Sequence, residues 1–320
     1  MGGVGVDAAD DDRTPAGAAT GVPRPNYGDR SDPGHAARAS AFALAAGEYA
    51  RFRPGYPAEV IAVAVPDDAA SVLDLAAGTG KLTGAVVAHL VGSRPDRGAG
   101  VRVVAVDPLP EMLAELRRAV VAPVSGPVVE VLTGSAEHIP LPTVVADGVA
   151  DTAADPAGVD VVLVAQAFHW FDAPAALAEA ARISARDGRL VLLWNLEDRR
   201  DALVDDVTRL LDTAGRPADA DLTEPDGTPR PPYADAPDWT DPDLTVVEWV
   251  DHLTAGELIA RTQTYSYLIR AEPDVRDRFL VELRDLLDRA VPGSGPLVDR
   301  PVEVPMRTLL WSARRRGRSR

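Results

Sequence analysis

Five short β-branched runs, residues 72–75, 101–106, 128–132, 159–165 and 189–194, are nearly continuous in hydrophobicity. Strands that are apolar on both sides need cover on both sides, and in a single chain the crossover helices supply it. The intervening text has that helical period: Leu82, Val86, Val87 and Leu90 form one stripe, and Met112, Leu113, Leu116 and Val120 a second, with Pro110 near a helix start. Leu203, Val204, Val207, Leu210 and Leu211 form a third. The alternation predicts an α/β fold with a doubly wound, largely parallel sheet. After residue 243 the rhythm changes to a strand at 244–250, helical patterns around Leu258, Ile259 and Tyr265 and around Phe279 to Leu287, and a strand at 302–313. That pair of strands closes the sheet.

The flanks read differently. Residues 1–36 are rich in Gly, Ala, Asp and Pro without a period, which predicts a disordered segment. The proline-rich, acidic stretch 216–243 is too long for an ordinary connection and reads either as a mobile cover over a site or as disorder without a role. Residues 314–320 form an arginine-rich tail expected to fray. The chain of 320 residues carries 33 basic and 49 acidic side chains, a net charge of −16 that disfavours nucleic acid and anionic membrane surfaces as partners. It has no cysteine, which excludes disulfides and thiol chemistry, and the acidic start, with Asp7 and Asp10 to Asp12, is unlike a secretory signal. A cytoplasmic location is expected.

In a doubly wound sheet, ligands sit at the carboxyl ends of the strands. The first such turn runs Asp74, Leu75, Ala76, Ala77, Gly78, Thr79, Gly80, Lys81, small residues where a ligand must approach the backbone. A P-loop fails here, because Leu75 and Leu82 occupy positions that need Gly and Ser or Thr. A dinucleotide loop needs a third glycine where Thr83 stands. A zwitterionic amino-acid ligand suits Asp74 and the small loop better than a phosphate does. Asp107, ending the second strand, is placed to accept both hydroxyls of an adenosine ribose, which does not separate NAD from S-adenosylmethionine; it reads alternatively as a helix N-cap.

Six segments carry a family resemblance: residues 49–57 (YARFRPGYP), 72–83 (VLDLAAGTGKLT), 104–113 (VAVDPLPEML), 134–141 (GSAEHIPL), 160–172 (DVVLVAQAFHWFD) and 182–195 (RISARDGRLVLLWN). In order and spacing the chain resembles the class I S-adenosylmethionine-dependent methyltransferases, in particular the bacterial small-molecule branch of the methyltransferase type 11 kind. The resemblance implies a Rossmann-like, seven-stranded sheet with an antiparallel last strand. It implies one domain over 37–313, with a helical insertion at 255–290. The cofactor implied is S-adenosyl-L-methionine. Asp74, Gly78 and the backbone at Ala165 would surround its methionine ammonium, with Ala76 and Gly80 in the same loop, and Arg53 would take its carboxylate. Asp107 would hold the ribose; Pro108, Leu109 and Met112 would flank the adenine, and Ser135, Ala136 and Glu137 would meet its polar edge. Ala76 stands where relatives carry glycine, which is tolerable if this position needs no positive φ.

On the acceptor side, His169 follows the fourth strand and reads either as a general base or as a residue that packs the next helix with Trp170 and Phe171. Trp194, Asn195, Trp170 and Tyr49 are expected to line the acceptor pocket, although Trp194 reads equally as core. Pro231, Pro232 and Tyr233 do not follow the fourth strand and are set aside as an amine-methylation motif, and the other histidines lack metal-ligand spacing. The expectation is a methyltransferase acting on a small organic molecule at oxygen, carboxylate or hydroxyl. A nicotinamide-dependent oxidoreductase and a catalytically silent cofactor-binding protein are the alternatives.

Overall fold

A computed structural model describes residues 51–93, 100–120, 126–143, 158–217, 229, 231–233 and 236–317. Tyr49 and the segment 1–36 lie outside the described residues, as does most of 218–235. Seven strands form one sheet: β1 (Ser71–Leu75), β2 (Arg102–Asp107), β3 (Val128–Thr133), β4 (Val159–Ala165), β5 (Ser184–Glu197), β6 (Asp243–Thr254) and β7 (Pro301–Arg314). Their order is β3-β2-β1-β4-β5-β7-β6. The first five pair in parallel, whereas β7 is antiparallel to both β5 and β6. The last strand is therefore antiparallel as expected, and it lies inside the sheet between two neighbours. Because β1 pairs with both β2 and β4, the strand order reverses there and opens a crevice at the carboxyl ends.

Successive residues of the central strands feed opposite layers, as the two-residue period of a strand requires. Leu73, Leu75, Val162, Val164, Leu190 and Leu192 pack with α4 (Ala173–Ile183). Val72, Val161, Leu163, Val191 and Leu193 pack with α1 (Ala58–Ala64) and α2 (Lys81–Ser93). The helix after β2 is α3 (Pro110–Ala119), and that after β5 is α5 (Ala202–Thr213). Asp172 and Asp201 cap α4 and α5 by accepting backbone amides three residues on. Between β6 and β7 lie α6 (Ala255–Gln263), α7 (Ser266–Ile269) and α8 (Pro273–Ala290). A reciprocal capping box between Thr254 and Glu257 starts α6 directly at the end of β6. A third core joins α5, α6 and α8 to the far ends of β6 and β7 through Val207, Leu258, Phe279, Leu283 and Val304.

Two expectations need correction. The end of the proline-rich stretch is not a loose cover: Trp239 is 1% exposed, its Nε1 donates to the Leu177 carbonyl at 3.0 Å, and Thr240 bonds the Arg314 carbonyl. An aromatic of that size gains more from burial beside α4 than the surrounding prolines lose in freedom. The arginine tail is likewise ordered over its first part. Arg314 ends β7, Arg315 Nη1 donates to the Ser184 carbonyl and Arg316 Nε to the Trp239 carbonyl. Trp239 and the arginines thus close one seam, and Trp239→Ala should cost about 3–5 kcal/mol by the usual price of an emptied aromatic site. Urea denaturation measures it; a loss below ~1 kcal/mol would mean that the segment is dispensable to the fold.

Candidate active site

The turn from β1 into α2 is built by three left-handed residues. Ala76 has φ +59°, Gly78 +56° and Gly80 +86°. Ala76 thus does require a positive φ, contrary to the condition on which its replacement of glycine was tolerable, and an L-residue there is strained by about 1–2 kcal/mol. Gly80 is fixed twice over, since an added Cβ would stand 2.6 Å from Leu116 Cγ of α3. At Gly78 the same construction meets nothing within 4 Å, so this part of the loop faces open space. Beneath the loop Asp74 is 1% exposed and accepts a 2.6 Å hydrogen bond from Thr83 Oγ1. Burial pushes its carboxyl up to about 7, against the Thr83 bond and with some help from the charge of Asp107.

Asp107 ends β2 with both oxygens engaged: Oδ2 accepts from the Gly78 amide and Oδ1 from the Leu109 amide, each at 2.9 Å. The N-cap of α3 is Leu109, so Asp107 makes a turn ahead of the helix instead of capping it. Burial raises its carboxyl, and the Leu109 and Gly78 amides oppose that rise. A carboxylate has about four lone-pair sites, so two amides leave capacity for two further donors. Pro108 is exposed, Leu109 half-buried and Met112 buried on the same turn. Ser135 and His138 exchange backbone hydrogen bonds of 3.3 and 3.2 Å around a tight turn, with Ala136 buried inside it. Glu137 Oε1 accepts the Asp172 amide at 3.0 Å and so ties this turn to the start of α4. Arg182 and Glu179 of α4, which the sequence did not single out, hold the rest of the turn through Ile139 and Leu141.

After β4, Ala165 leads into Gln166, a non-glycine residue at φ +57°. Its amide bonds the Leu193 carbonyl at 2.9 Å and its side-chain Nε2 reaches the Asn195 carbonyl at 3.4 Å, joining the ends of β4 and β5. Nothing in a lone glutamine signals a left-handed residue, and the sequence reading missed it. A single turn of 3₁₀ helix, Phe168–Trp170, follows, with His169 half-buried and its ring 4.8 Å from that of Trp170. Phe168 points the other way, into the core with Phe171, and Tyr233 packs on it at 6.0 Å. Trp194 is 6% exposed in this same core, and its Nε1 is buried without a hydrogen bond. Core is the better description of it.

The segment before α1 crosses the carboxyl end of the sheet as a strap. Asn195 Nδ2 donates to the Gly55 carbonyl at 2.9 Å, and Asn195 is itself aligned by Thr308 Oγ1 at 2.7 Å. Arg53 Nη2 donates to the Thr264 carbonyl at 3.0 Å, with its guanidinium 4.7 Å from the ring centre of Tyr265. Tyr265 donates to Glu197 Oε1 at 2.5 Å, and burial holds its hydroxyl well above the usual phenol range. The structure thus brings Asp74, Ala76, Gly78, Gly80 and Asp107 into one crevice wall and sets Arg53 on the C-terminal insertion.

Two measurements follow from this geometry. Ala76→Gly relieves the left-handed strain at an entropic cost of ~0.5–1 kcal/mol, and should raise stability by up to about 1 kcal/mol; a destabilised variant would show that the methyl group packs. For Asp74, the unfolded chain releases its proton near 4 and the folded chain near 7. The folded state therefore binds more protons between those values, and this group's contribution to stability falls as pH rises through that window. Denaturation of wild type and Asp74→Asn across pH 4 to 8 should show a difference in slope of order 1 kcal/mol per pH unit; parallel profiles would contradict the buried titration.

A methyltransferase-domain family model matches residues 72–188, the stretch from β1 to the start of β5. An uncharacterized methyltransferase of Mycobacterium bovis is 38% identical over 246 residues, covering 77% of this chain and 85% of that protein, and its Mycobacterium tuberculosis counterpart is equally similar. A structure from Anaeromyxobacter dehalogenans, whose name assigns it to the type II methyltransferases, superposes with a TM-score of 0.58 at 22% identity. It covers 82% of this chain and 98% of that one, which shows the shared fold. Strand order, glycine loop and relatives agree: the chain belongs to the class I S-adenosylmethionine-dependent methyltransferases.

Proposed function

We propose that the chain binds S-adenosylmethionine across the glycine loop and Asp107 and transfers a methyl group to an oxygen of a small organic molecule. The observation that carries the cofactor half is the pair Gly78 and Asp107. Gly78 leaves open space where a side chain would stand, and Asp107 turns a buried carboxylate with spare acceptor capacity to the same wall. In this reading Asp107 accepts the ribose hydroxyls, Pro108, Leu109 and Met112 flank the adenine, and Ser135 and the Ala136 amide meet its edge. Glu137 contributes there chiefly by holding the turn, since one of its oxygens is taken by Asp172. Asp74 lies beneath the methionine ammonium, whose charge would draw its raised carboxyl toward the ionised form, next to Ala76, Gly78 and Gly80 of the loop and the backbone of Ala165, and Arg53 balances the carboxylate.

The bound sulfonium supplies an activated methyl group open to direct displacement. The protein's share is alignment and exclusion of water. His169 takes the proton of a hydroxyl acceptor, or only orients a carboxylate that needs no base. Trp170 lines the acceptor side, with Trp194 supporting it from the core. The small-molecule reading is supported by the strap over the carboxyl end of the sheet. The net charge of −16 disfavours nucleic acid as the acceptor. No helix among the described residues is long and apolar enough to cross a membrane.

Calorimetry against S-adenosylhomocysteine and NADH tests the reading, with heat expected from the first alone. Asp107→Ala should weaken S-adenosylhomocysteine binding by about 2–3 kcal/mol while the fold persists; unchanged affinity would remove Asp107 from the site. A mass-spectrometric screen for methyl gain among small acids, phenols and amines then names the acceptor. Loss of transfer in His169→Ala, with a single ionisation in the wild-type rate near neutral pH, identifies a hydroxyl and a base; a flat profile above about pH 6 and survival of the variant identify a carboxylate.

A further inference from the structure

Arg261, on α6 in the insertion between β6 and β7, is 2% exposed. Burying a guanidinium is strongly unfavourable unless all of its hydrogen bonds are met. Here they are not all met. Nη2 pairs with Asp251 of β6 and Nε donates to the Phe52 carbonyl at 3.0 Å, but Nη1 is buried without a hydrogen bond. As a device for stability this is poor, because hydrocarbon of the same volume would fill the space without desolvating a charge. What hydrocarbon cannot do is fix one carbonyl oxygen in direction and distance, and the carbonyl fixed is that of the residue before Arg53.

The strap has little means of placing itself. Residues 53–57 form neither helix nor strand, and Pro54 and Pro57 lack the amide that a local turn would use. Among the described residues, three bonds tie it to distant parts of the chain, Arg261 to Phe52, Arg53 to Thr264, and Asn195 to Gly55, besides the packing of Tyr56 on the core. Two of the three belong to the insertion. Tyr265, beside Thr264, also supplies the aromatic face under the Arg53 guanidinium and is anchored in turn on Glu197. Lys81, the first residue of α2 after the glycine loop, feels the charges of both Arg261 and Asp251; burial first, and Arg261 second, lower its pKa. Arg261 therefore sits where strap, glycine-loop helix and insertion converge.

We propose that Arg261 is a positioning residue of the cofactor site, acting through the Phe52 carbonyl to set the place of Arg53, with Tyr265 as the platform for that side chain. This rests on the cofactor reading given above, and the experiment separates the two. Full-length wild type, Arg261→Met, Arg53→Met and the double variant are titrated with S-adenosylhomocysteine. Arg261→Met leaves the Asp251 carboxylate without its partner and should lower the melting temperature, but it should keep the near-ultraviolet dichroism of the wild type while its Kd rises about tenfold. In the Arg53→Met background the same change should have no further effect, because the side chain being positioned is gone. Wild-type affinity in Arg261→Met, or losses that multiply in the double variant, would overturn the proposal. Should Arg261→Met not fold, Arg261→Lys keeps the charge beside Asp251 but loses the fork. Hydrogen exchange over residues 51–57 in that variant should then quicken while α6 stays protected, and unchanged strap exchange would overturn the anchoring. A wild type that does not bind S-adenosylhomocysteine would defeat the cofactor reading, whereas strap exchange still decides the anchoring.

Discussion

One bond holds the first wall of the crevice together: Asp107 Oδ2 accepts from the Gly78 amide. It joins the end of β2 to the loop leaving β1. A loop in which three residues hold positive φ has no ladder of its own to stabilise it. The amide of Ala77 bonded to the Val106 carbonyl adds a second tie, and Gly80 closes the turn on the carbonyl of Ala77. Below, Asp74 and Thr83 lock the loop to the helix that follows. The result is two carboxyl groups beneath and beside one loop, each raised by burial, in a place where a cation would relieve both. The electrostatics and the backbone geometry thus have one origin.

The far side of the crevice is organised on a different principle. The wall made by β1, β2 and their loops is local in sequence, whereas the strap is held by residues that follow it by between 140 and 211 positions. A chain of side-chain bonds runs from Trp249 on the edge strand through Thr308 and Asn195 to the strap carbonyl of Gly55. Each member sits on a different element, so the strap reports the mutual register of β5, β6 and β7. The insertion thereby does more than fill out the third core, since its α6–α7 turn supplies both the carbonyl that receives Arg53 and the ring beneath it.

The fold was legible because its signal is periodic. Apolar runs buried on both faces and stripes at helical spacing state the alternation of elements directly, and the glycine loop with Asp107 marks the crevice. What stayed hidden is of a different kind. Ala76 and Gln166 adopt left-handed backbone that their identities argue against, because the surrounding loops over-determine them. Trp239 lies among prolines and acids that read as loose chain, and one buried indole outweighs that composition. Arg315 and Arg316 resemble a solvated tail until the carbonyls of Ser184 and Trp239 are placed next to them. Arg261 carried no signal at all, for a buried arginine inside an amphipathic helix is spelled like any exposed one.

The position of β7 has a consequence for how the chain is made. The strand that follows β6 and its helical insertion in sequence is not added at the rim of the sheet but is inserted between β5 and β6, with nine residue pairs to one and twelve to the other. Until it arrives, both neighbours present unpaired edges, and the fourteen residues of β5 are flanked only by β4. Exposed edges of that length are templates for association with other chains. Synthesis therefore passes through a long interval in which the wall made by β1 and β2 is already extruded while β5 and β6 wait for the strand that joins them. In this protein the vulnerable interval in biogenesis lasts from the emergence of β5 to that of β7.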